Sequence, residues 1–488
     1  MGYKYGETRE QLTLMPICVD DYIEADSICR VIIAFIERLD MKALGFRYAE
    51  TKATGCSPYD PRNMLSLYLY GYINRIRSSR RLEAETHRNV EVMWLMEKLT
   101  PDDKTISEFR RNNAEALKKV FRAFSTWCSE QGLYGKELLA VDGTKIRANS
   151  SRNNIHTHSL TKKQIEQVEK KICEYMSALE ENDRSGQADE RFAPEAVREA
   201  LNRLNEKKGE LEGYLIQIEE NGGAEISAVD PDCRMMKQGG NARNLDACYN
   251  VQAVVDSKHS LIVDFEVTNC PDDKGALPRM TESAKEIMGV SEITAVADRG
   301  YYDGEDISDS EAAGTTCLAP KQLSGCNAPN PKYNNEHFRY DKDTDCYICP
   351  MGCSLPFKRN KKRKGSNGKT VDVRLFYNLS ACKECNHKAD CTKQKYGRTI
   401  TRSAYQAVLD TVDERLLIVE NQALLKKRKE IVEHPFGTTK RVWGYGNFLC
   451  RGLRITTGEQ SMVFLSYNFR RVFNIFRENG KDLIAAMS

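Results

Sequence analysis

Leu138-Leu-Ala-Val-Asp-Gly-Thr-Lys-Ile-Arg147 reads as a short apolar strand that delivers one carboxylate, Asp142, at its polar end. A second unit of the same kind, Ile293-Thr-Ala-Val-Ala-Asp298, stands far downstream and runs into Arg299-Gly300-Tyr301. A buried strand opening on an aspartate fixes that carboxylate rigidly, as a metal ligand requires. It is also a common way for an α/β strand to end, so neither aspartate is diagnostic alone.

The elements around these strands define the fold. Residues 247–255 and 261–267 alternate as two strands joined by Asp256-Ser-Lys-His-Ser260, a hairpin pattern. Residues 277–288 have helical spacing, 293–297 form a strand, 305–313 a helix and 316–319 a last short strand. The order is β, insertion, β, β, α, β, α, β. It predicts an α/β protein with a ribonuclease H-like core, antiparallel strands first and a parallel continuation after the helix. The insertion, 155–222, is charged and helix-favouring, and reads as an arm of two antiparallel helices.

At 488 residues the chain exceeds one ordinary core. The boundaries read as a helical domain over 1–136, the first part of the core over 137–321, a Cys-rich insertion over 322–400, and a helical return to the core over 401–488. Hydrophobic content of 40% and charged content of 29% suit a soluble protein. No apolar run is long enough to span a bilayer, so no membrane is expected. The start, Met1-Gly-Tyr-Lys-Tyr-Gly-Glu7, lacks the apolar core of a secretory signal, which makes the cytoplasm the expected location. A net charge of +3 argues for no partner by itself. Basic clusters at 75–81, 358–364, 426–429 and 470–471 each read separately as solvated surface.

Three local patterns bear on chemistry. In Pro101-Asp-Asp-Lys-Thr-Ile-Ser-Glu-Phe-Arg110, Thr105 and Glu108 have capping-box spacing, and the helix they open presents Arg110 and Arg111. Such basic helix ends suit phosphate contacts, while packing or dimerisation is an equal use of the same helices. Cys346-Tyr-Ile-Cys349 and Cys382-Lys-Glu-Cys385 are paired C-x-x-C motifs, with Cys353, His387 and Cys391 close by. They predict structural Zn²⁺ held by Cys349, Cys382, Cys385 and Cys391, with Cys346 as the first alternate and free thiols as the other reading. Residues 415–432 read as one helix running into Glu433-His-Pro-Phe-Gly-Thr-Thr-Lys440, with Lys426-Lys-Arg-Lys429 just before it.

Over nearly its whole length the chain resembles bacterial insertion-sequence transposases of the DDE type, and within the IS4-like class the IS1182 group. The resemblance rests on Pro101–Arg110, on Asp230-Pro-Asp-Cys-Arg-Met-Met-Lys237 with Tyr249-Asn-Val-Gln-Ala253, on Asp298-Arg-Gly-Tyr-Tyr302, and on Val432-Glu-His-Pro-Phe-Gly437. It implies Asp142, Asp298 and Glu433 as catalytic ligands of two Mg²⁺ or Mn²⁺ ions. It also implies Arg299, Arg428, Lys429 and Lys440 as DNA contacts. In the family pattern an arginine and a tyrosine precede the glutamate; here Lys429 and Lys426 stand in their places, and Arg428 is the nearest arginine. The implied partners are double-stranded DNA, both terminal inverted repeats and target, and a second copy of the chain as a homodimer. The implied activity is strand cleavage and strand transfer; the alternatives are a domesticated DNA-binding regulator or a nuclease without strand transfer. Tyr301 and Trp443 are candidates for base stacking, with core packing the more ordinary role.

Overall fold

The computed structural model describes residues 18–50, 57–185, 194–238, 245–321, 328–364 and 370–487. The N-terminal heptapeptide and residues 186–193, within the span expected as the arm, lie outside them. No helix among the described residues is long and apolar enough to cross a membrane.

The first part of the chain is helical: α1 (Ile28–Glu37), α2 (Met41–Leu44), α3 (Pro61–Ile73), α4 (Ser79–Arg88), α5 (Val90–Leu95), α6 (Asp103–Asn112) and α7 (Ala114–Glu130). Local chemistry sets the starts. Ser27 accepts from the Cys29 N–H to cap α1, and Asp60 accepts from Arg62 N–H at 2.7 Å with Pro61 filling the first turn of α3. The capping box expected at Thr105 is displaced by one turn. Asp102 is the cap of α6, accepting from the Thr105 N–H at 2.7 Å. Arg110 also departs from expectation. It is buried, donates to Tyr72 Oη at 3.2 Å and lies over the Tyr68 ring, so it packs the helices together and is not presented to DNA. Arg111 is exposed and pairs with Glu108.

The central sheet begins with β1 (Leu138–Arg147). A short pair, β2 (Ile155–His156) and β3 (Ile226–Ser227), closes the base of the arm formed by α8 (His158–Ser185) and α9 (Pro194–Glu220). The arm has its own small core of Ile165, Val168 and Leu211. Then come β4 (Arg234–Lys237), β5 (Leu245–Asp256), β6 (Ile262–Thr268), α10 (Ala276–Met288), β7 (Ile293–Val296), α11 (Gly304–Ala312) and β8 (Thr315–Leu318). β1 pairs antiparallel with β5 on one side and parallel with β7 on the other; β8 extends the parallel side. β4 and β6 share the outer edge of β5. The all-apolar Leu138–Val141 segment is buried because helices cover the sheet on both faces, and Asp142 is the first polar side chain to emerge.

Residues 339–403, where the sequence showed only a break in pattern, form a five-stranded antiparallel sheet: β9 (Arg339–Asp341), β10 (Cys346–Ile348), β11 (Ser354–Lys364), β12 (Thr370–Tyr377) and β13 (Thr399–Ser403). Two short helices, α12 (Leu379–Lys383) and α13 (Lys388–Cys391), lie between β12 and β13. The helix expected over 415–432 is two helices, α14 (Gln406–Arg415) and α15 (Val419–Phe436). After Pro435 the coil widens into a π-helical stretch, Gly437–Val442, in which Trp443 N–H donates to Thr438 O at 2.8 Å. α16 (Leu453–Glu478) and α17 (Leu483–Met487) end the described chain.

α16 crosses the whole molecule and joins its parts. Phe469 stacks near Phe124 of α7 and meets Phe35 of α1, while Phe464 meets Phe265 of β6. The N-terminal helices and the central sheet therefore share one hydrophobic core. The start of α16 is held by the Asp230-Pro-Asp232 stretch. Asp230 accepts from Tyr249 Oη at 2.6 Å and from Gly452 N–H at 3.0 Å, and Asp232 accepts from Leu453 N–H at 2.7 Å. At Gly458 a Cβ would stand 2.7 Å from Ala114 Cα, so the two helices touch backbone to backbone. Gly458→Ala is expected to destabilise the fold by about 1–3 kcal/mol, read as a lower Tm without loss of helical content before melting; an unchanged Tm would mean α7 and α16 slide apart freely.

Candidate active site

The parallel pairing of β1 with β7 runs Leu139 opposite Ala295 and Ala140 opposite Val296. Continuing that register brings Asp142, midway along β1, level with Asp298, which lies just beyond the end of β7. Asp142 Oδ1 accepts from the Gly143 N–H at 3.0 Å. Asp298 Oδ1 accepts from the Gly300 N–H at 2.6 Å and caps the 3₁₀ turn Arg299–Tyr301, so this aspartate orders its own loop. The second Asp142 oxygen stands 3.0 Å from Arg428 Nη1 on α15, an ion pair without an aligned hydrogen bond.

Burial pushes the Asp142 carboxyl up to about 6; Arg428 opposes the rise, and the neighbouring Asp298 and Asp273 add to it. Asp273 is a residue that the sequence patterns did not single out. It lies in the loop between β6 and α10, and its Oδ1 accepts from Gln252 Nε2 at 2.6 Å and Asn250 Nδ2 at 2.9 Å, with Lys145 Nζ at 3.2 Å. Its other oxygen faces Gly300, where a Cβ would come within 3.1 Å; a Cβ on Gly143 would meet Gln252 Nε2 at 2.6 Å. Both glycines leave space for the Asp273 carboxylate to lie between the Asp142 and Asp298 loops. The available signal was in β5, where Asn250 and Gln252 are polar residues two apart in a strand buried on both faces. Tyr301 is buried and donates its hydroxyl to Gln252 Oε1, which makes it a core residue that steadies this network and removes it as a base-stacking surface. Trp443 is half-buried against Tyr445 and Tyr467.

α15 separates the residues that its sequence placed together. Arg428 pairs with Asp142 and is largely buried, so in this structure its guanidinium faces a carboxylate and not the open surface. Glu433 is exposed. Five residues on from Arg428, it is turned about 140° around the helix. The charged side chains that act most on the buried Asp142 carboxyl are Arg428, Asp298 and Asp273, and Glu433 is not among them. The next residue, His434, stands 2.6 Å from Tyr467 Oη and fixes this end of the helix on α16. Lys440 donates to Lys145 O at 2.7 Å and Thr144 Oγ1 at 3.3 Å, pinning the π-helical stretch to β1. Burial lowers its ammonium pKa. Its role in this structure is a staple beside Asp142, not an open phosphate contact. Lys429 and Arg299 are exposed.

The cysteines gather at one end of the β9–β13 sheet. Cys349, Cys353, Cys382, Cys385 and Cys391 line one hollow together with His387 and Tyr333. The Cys353 N–H donates to Cys349 Sγ at 3.3 Å, and the Cys353 thiol is raised chiefly by that neighbour. Cys346 is turned away: it is buried within β10, its sulfur 3.0 Å from Thr344 Oγ1, so Cys353 and not Cys346 is the additional thiol of the cluster. Among the described residues no three His, Cys, Asp or Glu side chains stand at metal-holding spacing, in this cluster or beside Asp142.

Two family models match the chain. One, described as a Transposase DDE domain, matches residues 348–473, a segment that includes the cysteine cluster, Arg428, Glu433 and Lys440. The other, described as a Transposase domain (DUF772), matches residues 17–112. Together they define the class, a DDE transposase. Their order along the chain is the architecture of the IS1182-family transposases. Comparison with curated proteins gives no match. Among solved structures it is similar to a piggyBac transposase synaptic complex with hairpin DNA, at 9% identity and a TM-score of 0.31, covering 94% of this chain and 78% of that one.

Proposed function

We propose that this transposase binds the terminal inverted repeats of an insertion sequence, cuts one strand at each end, and joins the freed 3′-hydroxyl to target DNA. The observation that carries the reading is the register of the parallel strands β1 and β7, which sets Asp142 level with Asp298, with Arg428 and Asp273 completing the surroundings. The strand order β6-β5-β1-β7-β8 is that of a ribonuclease H-like core and supports the same reading.

The donor set suits hard divalent ions. Burial, with Asp298 and Asp273 adding to it, raises Asp142 to about 6, and a dication beside these carboxylates would relieve that cost. Asp142 and Asp298 would hold Mg²⁺ or Mn²⁺, with Glu433 of α15 as the third ligand that the family resemblance implies. When bound, a pair of such ions activates water or a 3′-hydroxyl and stabilises the leaving oxygen. Asp273, anchored by Asn250, Gln252 and Lys145, acts as a positioning residue that keeps the loops of Asp142 and Asp298 apart. Lys429 and Arg299, both exposed, are the phosphate contacts, along with Arg111. The thiols of Cys349, Cys382, Cys385 and Cys391 would hold a structural Zn²⁺, with Cys353 in reserve. Two DNA ends call for two copies of the chain.

The test is incubation with Mg²⁺ or Mn²⁺ and labelled duplex carrying the element's terminal repeats. Nicked and then joined products support the proposal; cleavage without joining makes the protein a nuclease, and binding without cleavage under either metal makes it a regulator. Asp273→Ala is expected to lower cleavage about 10–100-fold and to raise the metal concentration needed, with DNA affinity unchanged. Full activity at limiting metal would remove Asp273 from the site.

A further inference from the structure

β11 carries Lys358, Arg359, Lys361, Lys362, Arg363 and Lys364, six cations within seven consecutive residues. The sheet does not absorb them. β10 pairs with β11 only at residues 354–356, and β13 pairs with β12 only at 373–377. Beyond those points β11 has an open edge from Arg359 on, and 362–364 with 370–372 continue as a two-stranded ribbon, with Lys362 opposite Asp372 and Arg363 opposite Val371. Residues 357–363 are all exposed. Strand alternation sends Arg359, Lys361 and Arg363 to one face and Lys362 to the other, so the exposed strand presents cations on both faces. Among the described residues no carboxylate is within ion-pair distance of Lys358, Arg359, Lys361, Lys362 or Arg363. Asp372, across the ladder from Lys362, makes no ion pair with it.

Like charges side by side on a ribbon repel one another, and one or two lysines suffice to deter edge-to-edge pairing. The excess is explained by a polyanion that supplies the missing counter-charge. A two-stranded ribbon fits the major groove of a duplex, and seven residues span about 20 Å at the usual strand rise, enough to follow several phosphates. We propose that the β11–β12 ribbon is a duplex-DNA grip, engaging backbone phosphates largely without regard to sequence. The inference rests on the reading of this chain as a DNA-cutting transposase and adds where the duplex is held.

The experiment uses the full chain and fluorescence anisotropy, with one labelled duplex carrying the terminal repeat and one unrelated duplex of equal length. Arg359→Ala, Lys361→Ala and Arg363→Ala together are expected to weaken binding of both duplexes at least tenfold. The salt slope should fall by about 0.9 for each phosphate that is no longer neutralised, so by roughly 3 for the triple variant. Lys362→Glu, on the opposite face, should shift both quantities in the same direction and decides the matter if the triple variant fails to fold. Unchanged affinity and slope in a folded variant overturn the grip, including where that variant aggregates, which would make the lysines edge protectors. A loss of binding confined to a polyglutamate probe also overturns it, in favour of an acidic protein partner. Wild-type protein that cuts terminal-repeat DNA while the variants bind normally sinks the grip alone; wild-type protein that neither binds nor cuts sinks the transposase reading with it.

Discussion

Asp298→Asn is expected to reduce strand cleavage by about 10³-fold or more while duplex affinity stays within about twofold. The amide still accepts from the Gly300 N–H, so the loop that Asp298 caps survives and the loss reports on charge. Asp142→Asn should abolish cleavage equally and carry a second signature. Its folded-state carboxyl sits at about 6, above the ordinary value of 3.8, so the native state holds its proton more tightly than the unfolded chain. Stability is then highest below pH 4 for this group and is lost as pH rises through about 6. In metal-free protein Asp142→Asn should remove that loss, a gain of about 2 kcal/mol at pH 7 that vanishes near pH 4. Urea titrations at the two pH values check it. Equal destabilisation at both would mean that Asp142 is a structural ion-pair partner of Arg428 and not a ligand held at a cost.

The other large effect concerns the cysteines. The buried core of the β9–β13 sheet is Phe338, Tyr347, Leu355, Phe376 and Ile400, too few apolar side chains to hold five strands by themselves. A tetrahedral thiolate site contributes about 10 kcal/mol or more of folding free energy in small domains. Cys382→Ser with Cys385→Ser should therefore bring bound zinc from one ion per chain to none and unfold this sheet, seen as new protease sensitivity over 339–403. A chelator should reproduce the effect on the wild-type protein. Purified protein without zinc, and a double variant as protease-resistant as wild type, would leave the cluster as free thiols.

The α/β core was legible because its strands are largely buried, so that Leu138–Val141 is wholly apolar and Ile293–Val296 nearly so, while Thr315–Leu318, with Thr316 exposed, is the least marked of them. The β9–β13 sheet was not, since β11 is mostly charged and β9 and β10 are three residues each, too short for periodicity to register. Within the candidate site, the two strand-end aspartates follow from the order of elements. Asp273 does not, because a loop carboxylate acquires its place only from the side chains of β5 that anchor it. Arg428 and Glu433 stand five residues apart on α15, and the sequence alone could not say that one would face the sheet and the other solvent. Arg110 illustrates the same limit: a cation at a helix end is open or buried according to what the last helix packs upon it.

Arg77 donates to Asn447 O at 2.8 Å and faces buried Glu459, while Tyr445 Oη donates to Tyr72 O at 2.8 Å. These bonds tie the start of the chain to its end, across the whole length of the intervening sheet and arm. A copy of the gene cut short before α16 would thus yield helices stripped of the surface they rest on. It would not yield a detachable DNA-binding fragment able to occupy the element's ends and block the intact protein. A chain ending before α16 is therefore expected to be protease-sensitive throughout and to show no duplex binding.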